Sequence, residues 1–585
     1  MKSTYVLGTG LSHNGSAVLL KDGRVCVGIE KERLTRRKRD GGNDAAAIRY
    51  CLEAEGITLA DVAVVVQSAN FEVPARDRHQ GARPFAGTRH PPLVGISHHL
   101  AHAWSAAGTA PFDTCAILVL DGCGSPIDQC IDLAGIALPD MADPGLWCEK
   151  DSLYRFDGRD VVPLMKDFSP LTSTPDADGQ PRDTPRLPTT RHSIGGFYSA
   201  ISTYVFGNMD DAGKLMGLAP YGRPDRVPHR AFAVHDGRVF VQDAWRAALT
   251  RPARGHEDFR AHFAYYADIA RWAQGEVEDA VAALVRDRLA RFPAEALCYT
   301  GGVALNAVAN ARLLDEGIVR DLYMEPAAGD NGLALGCAYY GWMKLLGRPR
   351  VPHDGGTCFG RTYRRDEVRH ALAEHDADWD IVEGDENALV ERAAQALADG
   401  ATLGWFQGGS EFGPRALGRR SILAHPGAPG MRDHINAAIK FREDFRPFAP
   451  AVLPEHAATL FEAGRDSPYM ILVDRTRAEH RSALANVTHV DGTARVQTVD
   501  RGWNPVFARL IEAFHARTGI AALLNTSFNR RGMPIVETPA EALALFAETA
   551  LDALLLQDVL LIKRSRASAP RHTNRATSIS AGSTG

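Results

Sequence analysis

Residues 115–125 read CAILVLDGCGS, and this stretch decides the fold class. Its first six residues form a continuous apolar run, which is typical of a strand buried inside a sheet. The run ends at Asp121 in a turn that contains two glycines. Because α/β folds bind ligands at the ends of their strands, Asp121 is predicted to lie at a functional site.

Two further glycine-rich turns follow strand candidates in the same half of the chain. One lies between the strands predicted at Tyr5–Gly8 and Ser16–Leu20, and the other is Gly301-Gly302 after Leu297–Thr300. Backbone N–H groups in such turns can bind phosphate. Each is also simply a tight turn, but three of them at strand ends favour a nucleotide cleft between two α/β lobes.

The chain is expected to contain at least two domains, because 585 residues exceed what one hydrophobic core usually serves. Glycines and prolines at 346–357 mark the best linker. The predicted domains are 1–350 and 358–563, followed by a disordered tail at 564–585 that is rich in Ser, Thr, Arg and Ala. Helical spacing is predicted at 268–291, and Pro139–Pro188, rich in Pro, Asp and Thr, is predicted to form loops and insertions.

Composition excludes several classes of protein. Acidic residues outnumber basic ones by 71 to 66, which argues against a nucleic-acid or anionic-membrane surface. The nine cysteines form no Cys-x-x-Cys pair and their count is odd, so a disulfide framework or zinc ribbon is not expected and a reducing cytoplasm fits best. The N-terminus lacks the pattern of a signal peptide, and no apolar run reaches the length of a membrane span.

The sequence SHHLAHA at 97–103 places two histidines four residues apart. On a helix, His98 and His102 share one face, which suits two ligands of one metal ion, although either is otherwise an ordinary polar helix residue. Asp121 and Asp330, the latter in a glycine-rich loop that opens a helix, favour the metal site. Two imidazoles with one or two carboxylates suit Fe(II), Mn(II) or Zn(II).

Two residues near the N-terminus have two interpretations each. His13 lies in the first glycine-rich turn, where a neutral imidazole could take a proton from an attacking hydroxyl. From local sequence alone, a turn residue bonded to its own backbone is favoured. The charged run Glu30–Lys38 is usually a solvated face, but Lys38 could equally reach an anionic ligand.

The second half of the chain contains cations set among glycine, proline and phenylalanine. They occur in GGSEFGPRALGRR at 408–420 and in IKFREDFRPFAP at 439–450, and a polar turn follows at Asn525–Asn529. Arginine and lysine beside hydroxyl and amide groups are suited to a phosphorylated ligand. We therefore predict an anion pocket, with Arg495 as a further member.

Eight motifs, in order over residues 5–563, resemble the O-carbamoyltransferases, the family of the nodulation-factor, cephamycin and tobramycin carbamoyltransferases. They are SHHLAHA (97–103), LVLDGCGS (118–125), GKLMGLAPYG (213–222), YTGGVALN (299–306), EPAAGDNG (325–332), GPRALGRRSI (413–422), IKFREDFRPFAP (439–450) and LLNTSFN (523–529).

This resemblance implies an α/β fold in two parts. The N-terminal part is expected to be a duplicated α/β domain of the actin-like ATPase type, similar to threonylcarbamoyl transferases. The C-terminal part is expected to be a YrdC-like α/β domain that makes carbamoyl-adenylate from carbamoyl phosphate and ATP, with Mg²⁺. The intermediate then passes to the N-terminal domain, which implies a tunnel or shared cavity between the two sites.

The resemblance also implies a role for each matching residue. His98, His102, Asp121 and Asp330 would hold a metal, Fe²⁺ first, with Mn²⁺ or Zn²⁺ as alternatives. His13 would be the general base and Lys38 a helper near the intermediate. The donor site would comprise Lys440, Arg446, Arg495, Asn525, Thr526, Ser527 and Asn529, with Arg415 near the ATP phosphates. Lys214, Gly301, Gly302 and Asn306 would flank the nucleotide. Arg419 stands where many relatives have asparagine, which leaves its role open.

Three other functions compete with a cytoplasmic natural-product carbamoyltransferase of the antibiotic-tailoring type. A tRNA threonylcarbamoyl enzyme is disfavoured by the acidic balance. A hydrogenase-maturation carbamoyltransferase would bring cysteine-rich modules that are not visible, and an actin-like ATPase would not explain the anion pocket. The expected partners are carbamoyl phosphate, ATP and a hydroxylated small molecule, with no nucleic acid or membrane. The acceptor is not readable, and the oligomeric state is open, with a homodimer among the options.

Overall fold

The computed structural model describes residues 3–12, 14–42, 44–68, 90–173, 188–189, 193–375 and 379–564. It is a mixed α/β structure with three large sheets. His13 and residues 565–585, to which the general-base and tail predictions refer, lie outside the described residues.

Two five-stranded sheets repeat one topology. In each, three antiparallel strands form a meander, and two further strands lie parallel to the first strand on its other side. From one edge to the other, the first sheet is Arg24–Glu30, Ser16–Lys21, Tyr5–Gly10, Val62–Ser68 and Leu93–Ile96. The second sheet is Val161–Pro170, Trp147–Phe156, Cys115–Leu120, Ala296–Thr300 and Asp321–Met324. This repeat is the duplicated α/β unit that the resemblance implied for the N-terminal part.

The strand at Cys115–Leu120 lies in the middle of the second sheet. It pairs in parallel with Ala296–Thr300 and antiparallel with Trp147–Phe156, and all six of its residues are buried. A strand covered on both faces needs apolar side chains at every position, which explains the continuous run in its sequence. Its end at Leu120 delivers Asp121 to the edge of the sheet.

The prediction of loops over Pro139–Pro188 is wrong for its first half. Trp147–Phe156 and Val161–Pro170 are ten-residue strands that pair with each other. Charged residues inside these strands hid the apolar pattern, because they are buried as ion pairs. Lys150 pairs with Asp167 at 2.9 Å, and Lys166 pairs with Asp132 at 2.7 Å. Much of the second half of the range, 174–187, lies outside the described residues.

The third sheet has eight strands and is formed by residues 379–563. Its order is Trp379–Glu383, Val559–Lys563, Ala553–Leu556, Leu403–Phe406, Arg420–Ala424, Ala522–Ser527, Ala449–Val452 and Gln497–Thr498. Separate apolar clusters cover its two faces. Three two-stranded pairs complete the strands: Thr172–Ser173 with Pro188–Thr189, Phe232–His235 with Arg238–Val241, and Asp474–Arg475 with Thr493–Ala494. The YrdC-like assignment and the domain boundary stay predictions.

Fifteen α-helices occur in the described residues. They are Lys31–Thr35, Ala45–Glu55, His98–Thr109, Ile194–Phe206, Ala212–Leu218, His256–Ala261, Phe263–Arg291, Ala307–Asp315, Leu333–Tyr339, Arg365–Ala373, Glu386–Ala398, Met431–His434, Pro454–Leu460, Pro505–Thr518 and Pro539–Glu548. The long helix begins at Phe263, five residues before the predicted start. Asp268 therefore lies inside the helix, and its carboxylate accepts hydrogen bonds from the backbone and guanidinium of Arg223.

Two helices fill the space between the five-stranded sheets. Side chains of His98–Thr109 and Leu333–Tyr339 share one apolar cluster with both sheets. The helices approach closely because glycines lie at their contact. A Cβ on Gly336 would lie 1.7 Å from the carbonyl oxygen of Ala101, and one on Gly108 would lie 2.1 Å from the ring of Tyr339.

All nine cysteine side chains are free thiols in this structure. Within the described ranges, none of the helices has both the length and the hydropathy that crossing a bilayer requires.

The glycine contact makes a prediction about stability. Gly336→Ala forces a methyl group into the Ala101 backbone, and we expect the free energy of unfolding to fall by about 1–3 kcal/mol. Gly275→Ala is the matched control, because Gly275 lies inside a helix and a Cβ there meets nothing within 4 Å. We expect that variant to gain about 0.5–1 kcal/mol. Thermal and urea unfolding check both values, and equal effects of the two variants would contradict the close contact.

Candidate functional site

Two histidines and two aspartates from three parts of the chain meet at one point, the metal cluster. His98 and His102 lie on the helix His98–Thr109, Asp121 follows the strand Cys115–Leu120, and Asp330 begins the short turn before the helix Leu333–Tyr339. One ligand atom from each lies within 4.8 Å of the other three, and all four side chains are buried. The structure therefore brings together all four residues of the predicted metal site.

The individual distances show a cluster that surrounds a single point. Nε2 of His98 lies 2.9 Å from Oδ2 of Asp121 and 3.5 Å from Oδ1 of Asp330. Nε2 of His102 lies 3.5 Å and 3.9 Å from the same two oxygens. Neither ring nitrogen of His102 has a hydrogen-bond partner within the described chain, although both are buried. Buried polar atoms without partners are rare, and a metal ion is one explanation for them.

Backbone groups orient the two aspartates. The N–H groups of Gly122 and Gly302 donate to Oδ1 of Asp121 at 2.7 Å and 3.3 Å, which leaves Oδ2 for the imidazoles. The hydroxyl of Ser12 donates to Oδ2 of Asp330. Such outer contacts fix the direction in which a metal ligand points.

The charges of the cluster favour a cation at its centre. Burial opposes a proton on His98, but the Asp330 and Asp121 carboxylates outweigh it and raise the pKa of His98 to about 10. Burial also opposes ionisation of Asp121, yet the imidazoles of His102 and His98 hold the pKa of its carboxyl well below its usual range. Two ionised carboxylates beside two imidazole nitrogens fit Fe²⁺, Mn²⁺ or Zn²⁺.

A buried ion network lies beside the metal cluster and holds the start of its helix. Glu149 accepts the backbone N–H of His99 at 3.2 Å and that of Ser125 at 3.0 Å. Lys166 pairs with Glu149 and with Asp132. Asp132, Glu149 and Cys130 are also close enough to share a metal ion, but the Lys166 ammonium already balances the carboxylates. The sequence analysis did not predict this network. Its signal in the sequence was the presence of charged residues, such as Glu149 and Lys166, inside segments of strand length.

Lys440 is the centre of the predicted donor site. It ends a π-helical turn at Ile435–Lys440 and is buried. Its ammonium donates to Oδ1 of Asn529 at 2.6 Å and lies 3.2 Å from the hydroxyl of Ser527. Asn525, two residues earlier on the same strand, shares the face of Ser527 and donates to Gln497 at 2.8 Å. Thr526 lies between them and therefore points to the opposite face.

Several other cations surround Lys440 and form, with it, the cationic pocket. Its members are Lys38, Arg415, Lys440, Arg442, Arg446 and Arg495. Burial, with the charges of Arg442, Arg446 and Lys38, lowers the pKa of Lys440 well below its ordinary value. Burial, with Arg415, Arg442 and Arg446, does the same to Arg495. Burial and Arg446 lower the pKa of Arg415 to about 10.

The cationic pocket has few opposing acids. Glu443 lies 3.7 Å from Arg446, but it also pairs with Lys214 at 3.0 Å and with Arg531 at 3.3 Å. The Nε atoms of Arg415 and Arg495 are buried without a hydrogen-bond partner among the residues the structure describes. Cations that repel one another while their donors remain unused are what an anion-binding site requires.

Lys38 lies at the edge of the cationic pocket, and its side chain is exposed to solvent. Its neighbouring charges include those of Glu32, Arg39 and Arg446. The charged run at 30–40 is solvated only in part, because Glu30 and Arg33 in it are buried. A cavity of about 760 Å³ adjoins the pocket and is lined partly by Arg442, Glu443 and Arg531. The sequence analysis did not include Arg531, which lies two residues after the polar turn.

The residues predicted to flank the nucleotide have different neighbours in the structure. Lys214 pairs with Asp211 at 2.9 Å and with Glu443, so it borders the cationic pocket. Gly301 and Gly302 lie against the metal cluster; Gly301 has φ 88°, and a Cβ on it would lie 2.3 Å from the carbonyl oxygen of Leu120. Asn306 is buried and caps the helix Ala307–Asp315 through the N–H of Ala309.

Arg419 and Arg420 turn away from the cationic pocket. The Arg419 guanidinium donates to the carbonyl oxygen of Trp503. Arg420 lies over the ring of Phe406 and donates to the carbonyl oxygen of Gln407 at 3.1 Å. Both therefore support the loop that carries Arg415.

Comparison with known proteins identifies the family. Residues 6–77 and 85–339 match the family described as carbamoyltransferase N-terminus, and residues 394–563 match carbamoyltransferase C-terminus. The nodulation protein NolNO of Sinorhizobium fredii is 34% identical over 94% of this chain and 79% of its own length. The 3'-hydroxymethylcephem-O-carbamoyltransferase of Streptomyces clavuligerus is 34% identical over 55% of this chain and 59% of its own.

Among solved structures, HypF of T. kodakarensis is similar, with 18% identity and a TM-score of 0.39. The match covers 59% of this chain and about half, 48%, of the HypF chain, a similarity too distant to bear on ligands. The family matches and the relatives together confirm the resemblance seen in the motifs: this chain is an enzyme of the carbamoyltransferase family.

Proposed function

We propose that this enzyme moves a carbamoyl group from carbamoyl phosphate to a hydroxyl of a small-molecule natural product, through a carbamoyl-adenylate made with ATP. The supporting observation is the presence of two sites of opposite charge in one chain: a buried acidic cluster with two histidines, and a half-buried group of cations around the buried Lys440. The cationic pocket suits a phosphorylated donor, and the metal cluster suits a divalent ion. Relatives that are named O-carbamoyltransferases support a hydroxyl as the acceptor.

The cationic pocket is the proposed site of activation. Carbamoyl phosphate, ATP and water give carbamoyl-adenylate, phosphate and pyrophosphate. Water releases phosphate from carbamoyl phosphate, a carbamate oxygen attacks the α-phosphorus of ATP, and the bond from that phosphorus to pyrophosphate breaks. Two anions must meet for this step, and Lys440, Arg446 and Arg495 would neutralise them while Arg415 binds ATP phosphates. Mg²⁺ accompanies ATP as cosubstrate.

The metal cluster is the proposed site of transfer. The acceptor oxygen attacks the carbamoyl carbon, the bond from that carbon to the adenylate oxygen breaks, and AMP leaves. His13 is the proposed general base, which takes the proton of the acceptor hydroxyl. Lys38 is proposed to bind the anionic intermediate. A divalent ion held by His98, His102, Asp121 and Asp330 would polarise an oxygen of the intermediate. Ser12 and the Gly302 N–H would keep the two carboxylates oriented.

The activation site can be tested without knowing the acceptor. Lys440→Met removes the ammonium and keeps the length of the side chain. We expect exchange of labelled pyrophosphate into ATP, dependent on carbamoyl phosphate, to fall at least about 100-fold, because a charge-stabilising donor is lost. Lys344→Met is the control, since Lys344 is exposed and pairs only with Asp160 in the described structure. Exchange within twofold of wild type would remove Lys440 from activation.

The metal site makes a second prediction. His102→Ala should lower the affinity for Fe²⁺, Mn²⁺ or Zn²⁺ by at least about tenfold, measured as metal retained after dialysis and as Co²⁺ absorption. His99→Gln is the matched control, because His99 is equally buried on the same helix but hydrogen-bonds Ser152 at 2.8 Å. That variant should retain metal. Equal loss in both variants would indicate disturbed folding instead of a lost ligand.

The lowered pKa values predict proton uptake when an anion binds. In the free protein, burial and neighbouring cations favour the neutral form of Lys440 as pH rises. A bound anion favours the charged form, so the pKa rises and protons are taken up at alkaline pH. Calorimetric titration with pyrophosphate at pH 8.5, in Tris and in HEPES, should show uptake in wild type and less in Lys440→Met. Heats independent of the buffer would contradict the prediction.

A further inference from the structure

A buried carboxylate, Glu30, connects the metal cluster to the cationic pocket. Its Oε1 accepts the side-chain N–H of Asn331 at 2.9 Å and the backbone N–H of Gly413 at 2.8 Å. Asn331 directly follows the metal-cluster residue Asp330, and Gly413 lies two residues before Arg415 of the cationic pocket. One oxygen therefore binds a loop of each site.

Arg33 completes this connection. Its guanidinium pairs with Oε2 of Glu30 and donates to the carbonyl oxygen of Gly413 at 2.8 Å. Glu30, Arg33 and Asn331 are 6%, 1% and 6% exposed, so water has little access to these bonds. We call Glu30, Arg33, Asn331 and Gly413 the seam.

The backbone at Gly413 shows how tightly the two loops meet. A Cβ on Gly413 would lie 3.2 Å from the carbonyl oxygen of Pro326 and 3.6 Å from Ala327. Both of these residues belong to the loop that leads to Asp330. Gly413 also has φ 119°, which a residue with a side chain rarely adopts. The loop of the cationic pocket thus packs directly on the loop of the metal cluster.

We infer that Glu30 is a positioning residue that closes the joint between the two sites, so that the activated carbamoyl group passes from one to the other without meeting water. This inference rests on the proposed function. A mixed anhydride of carbamate and AMP hydrolyses when water reaches it, so a route between the sites needs a sealed wall. At the seam, the loop of the metal cluster and the loop of the cationic pocket both donate a hydrogen bond to the same buried oxygen, Oε1 of Glu30. The seam is therefore the proposed part of the barrier against water.

Glu30→Gln tests the inference with little change in size. The new amide places a donor against the Arg33 guanidinium, which loosens the seam while both sites keep their own residues. Wild type and variant are mixed with carbamoyl phosphate and ATP and no acceptor. Two rates are measured: pyrophosphate exchange, which reports activation, and net AMP release, which reports loss of the intermediate to water. The ratio of AMP release to exchange should rise about tenfold, as for one lost charge-assisted hydrogen bond.

A matched control separates the seam from general weakening of the interface. Arg36 crosses the same interface, donating to the carbonyl oxygens of Ile535 at 2.7 Å and Pro534 at 2.9 Å. It reaches the seam in the described structure through the backbone carbonyl oxygen of Arg33, at 3.3 Å, and leaves the bonds of Glu30 to Asn331 and Gly413 untouched. Arg36→Gln should leave the ratio of AMP release to exchange unchanged. Asn331→Ser approaches the seam from its other side and should raise the ratio as Glu30→Gln does. The double variant should add little to either single change, because both act on the contacts of one carboxylate.

The outcomes separate the two proposals. Wild type without exchange dependent on carbamoyl phosphate would overturn the proposed function itself. If wild type shows this exchange, the role of the seam is tested separately. An unchanged ratio of AMP release to exchange in both Glu30→Gln and Asn331→Ser would then overturn that role. An equal rise in Arg36→Gln would also overturn it, because any loosened interface would then leak. Retained metal and retained exchange in Glu30→Gln show that the variant is folded and that both sites are intact.

Discussion

The close approach of two buried helices is the constraint on which the metal cluster depends. Gly336 of one helix lies against the backbone of Ala101 in the other, and no side chain fits between them. The first helix carries both imidazoles, and the second begins just after Asp330. The spacing of these helices therefore sets the spacing of the ligands. Apolar packing between two sheets thus fixes a polar site at their edge.

Charged side chains that are removed from water have two different environments in this protein, one with counter-charges and one without. Beside the metal cluster, Lys166 is matched by Glu149 and Asp132, and the network holds a helix start in place. In the cationic pocket, the half-buried Arg415 and Arg495 lie among other cations, and their buried Nε donors have no partner among the described residues. Because charge that is partly removed from water without a counter-charge is costly, this arrangement suits a ligand that supplies the opposite charge. This contrast distinguishes a structural network from a binding site more clearly than residue type does.

The two proposed sites are not independent of each other. A charged run near the N-terminus, of a kind that is usually exposed to solvent, is folded between them, with Glu30 and Arg33 buried and Lys38 exposed near its end. A short segment thus contacts the loop of each site. If a reactive intermediate passes between them, this segment is suited to exclude water along part of the route.

The sequence by itself determined the mixed α/β class, the strand that ends at Asp121, the paired histidines and the family. These features depend on local periodicity, on strand ends and on motifs, which are written along the chain. Charges inside a strand hid the elements at Trp147–Phe156 and Val161–Pro170, because ion pairing between distant residues leaves no periodic signal. Helical spacing placed the start of the long helix at Asp268, five residues after its first residue, Phe263.

Only the tertiary structure decided which polar residues share a site. It placed Lys214 beside Glu443 and Asn306 at the cap of a helix, contacts that the motifs around these residues do not indicate. It also joined Glu30 to Gly413 across more than half of the chain. Contacts between residues far apart in sequence depend on how the sheets and helices pack, and packing is a property of the whole fold that local patterns do not encode.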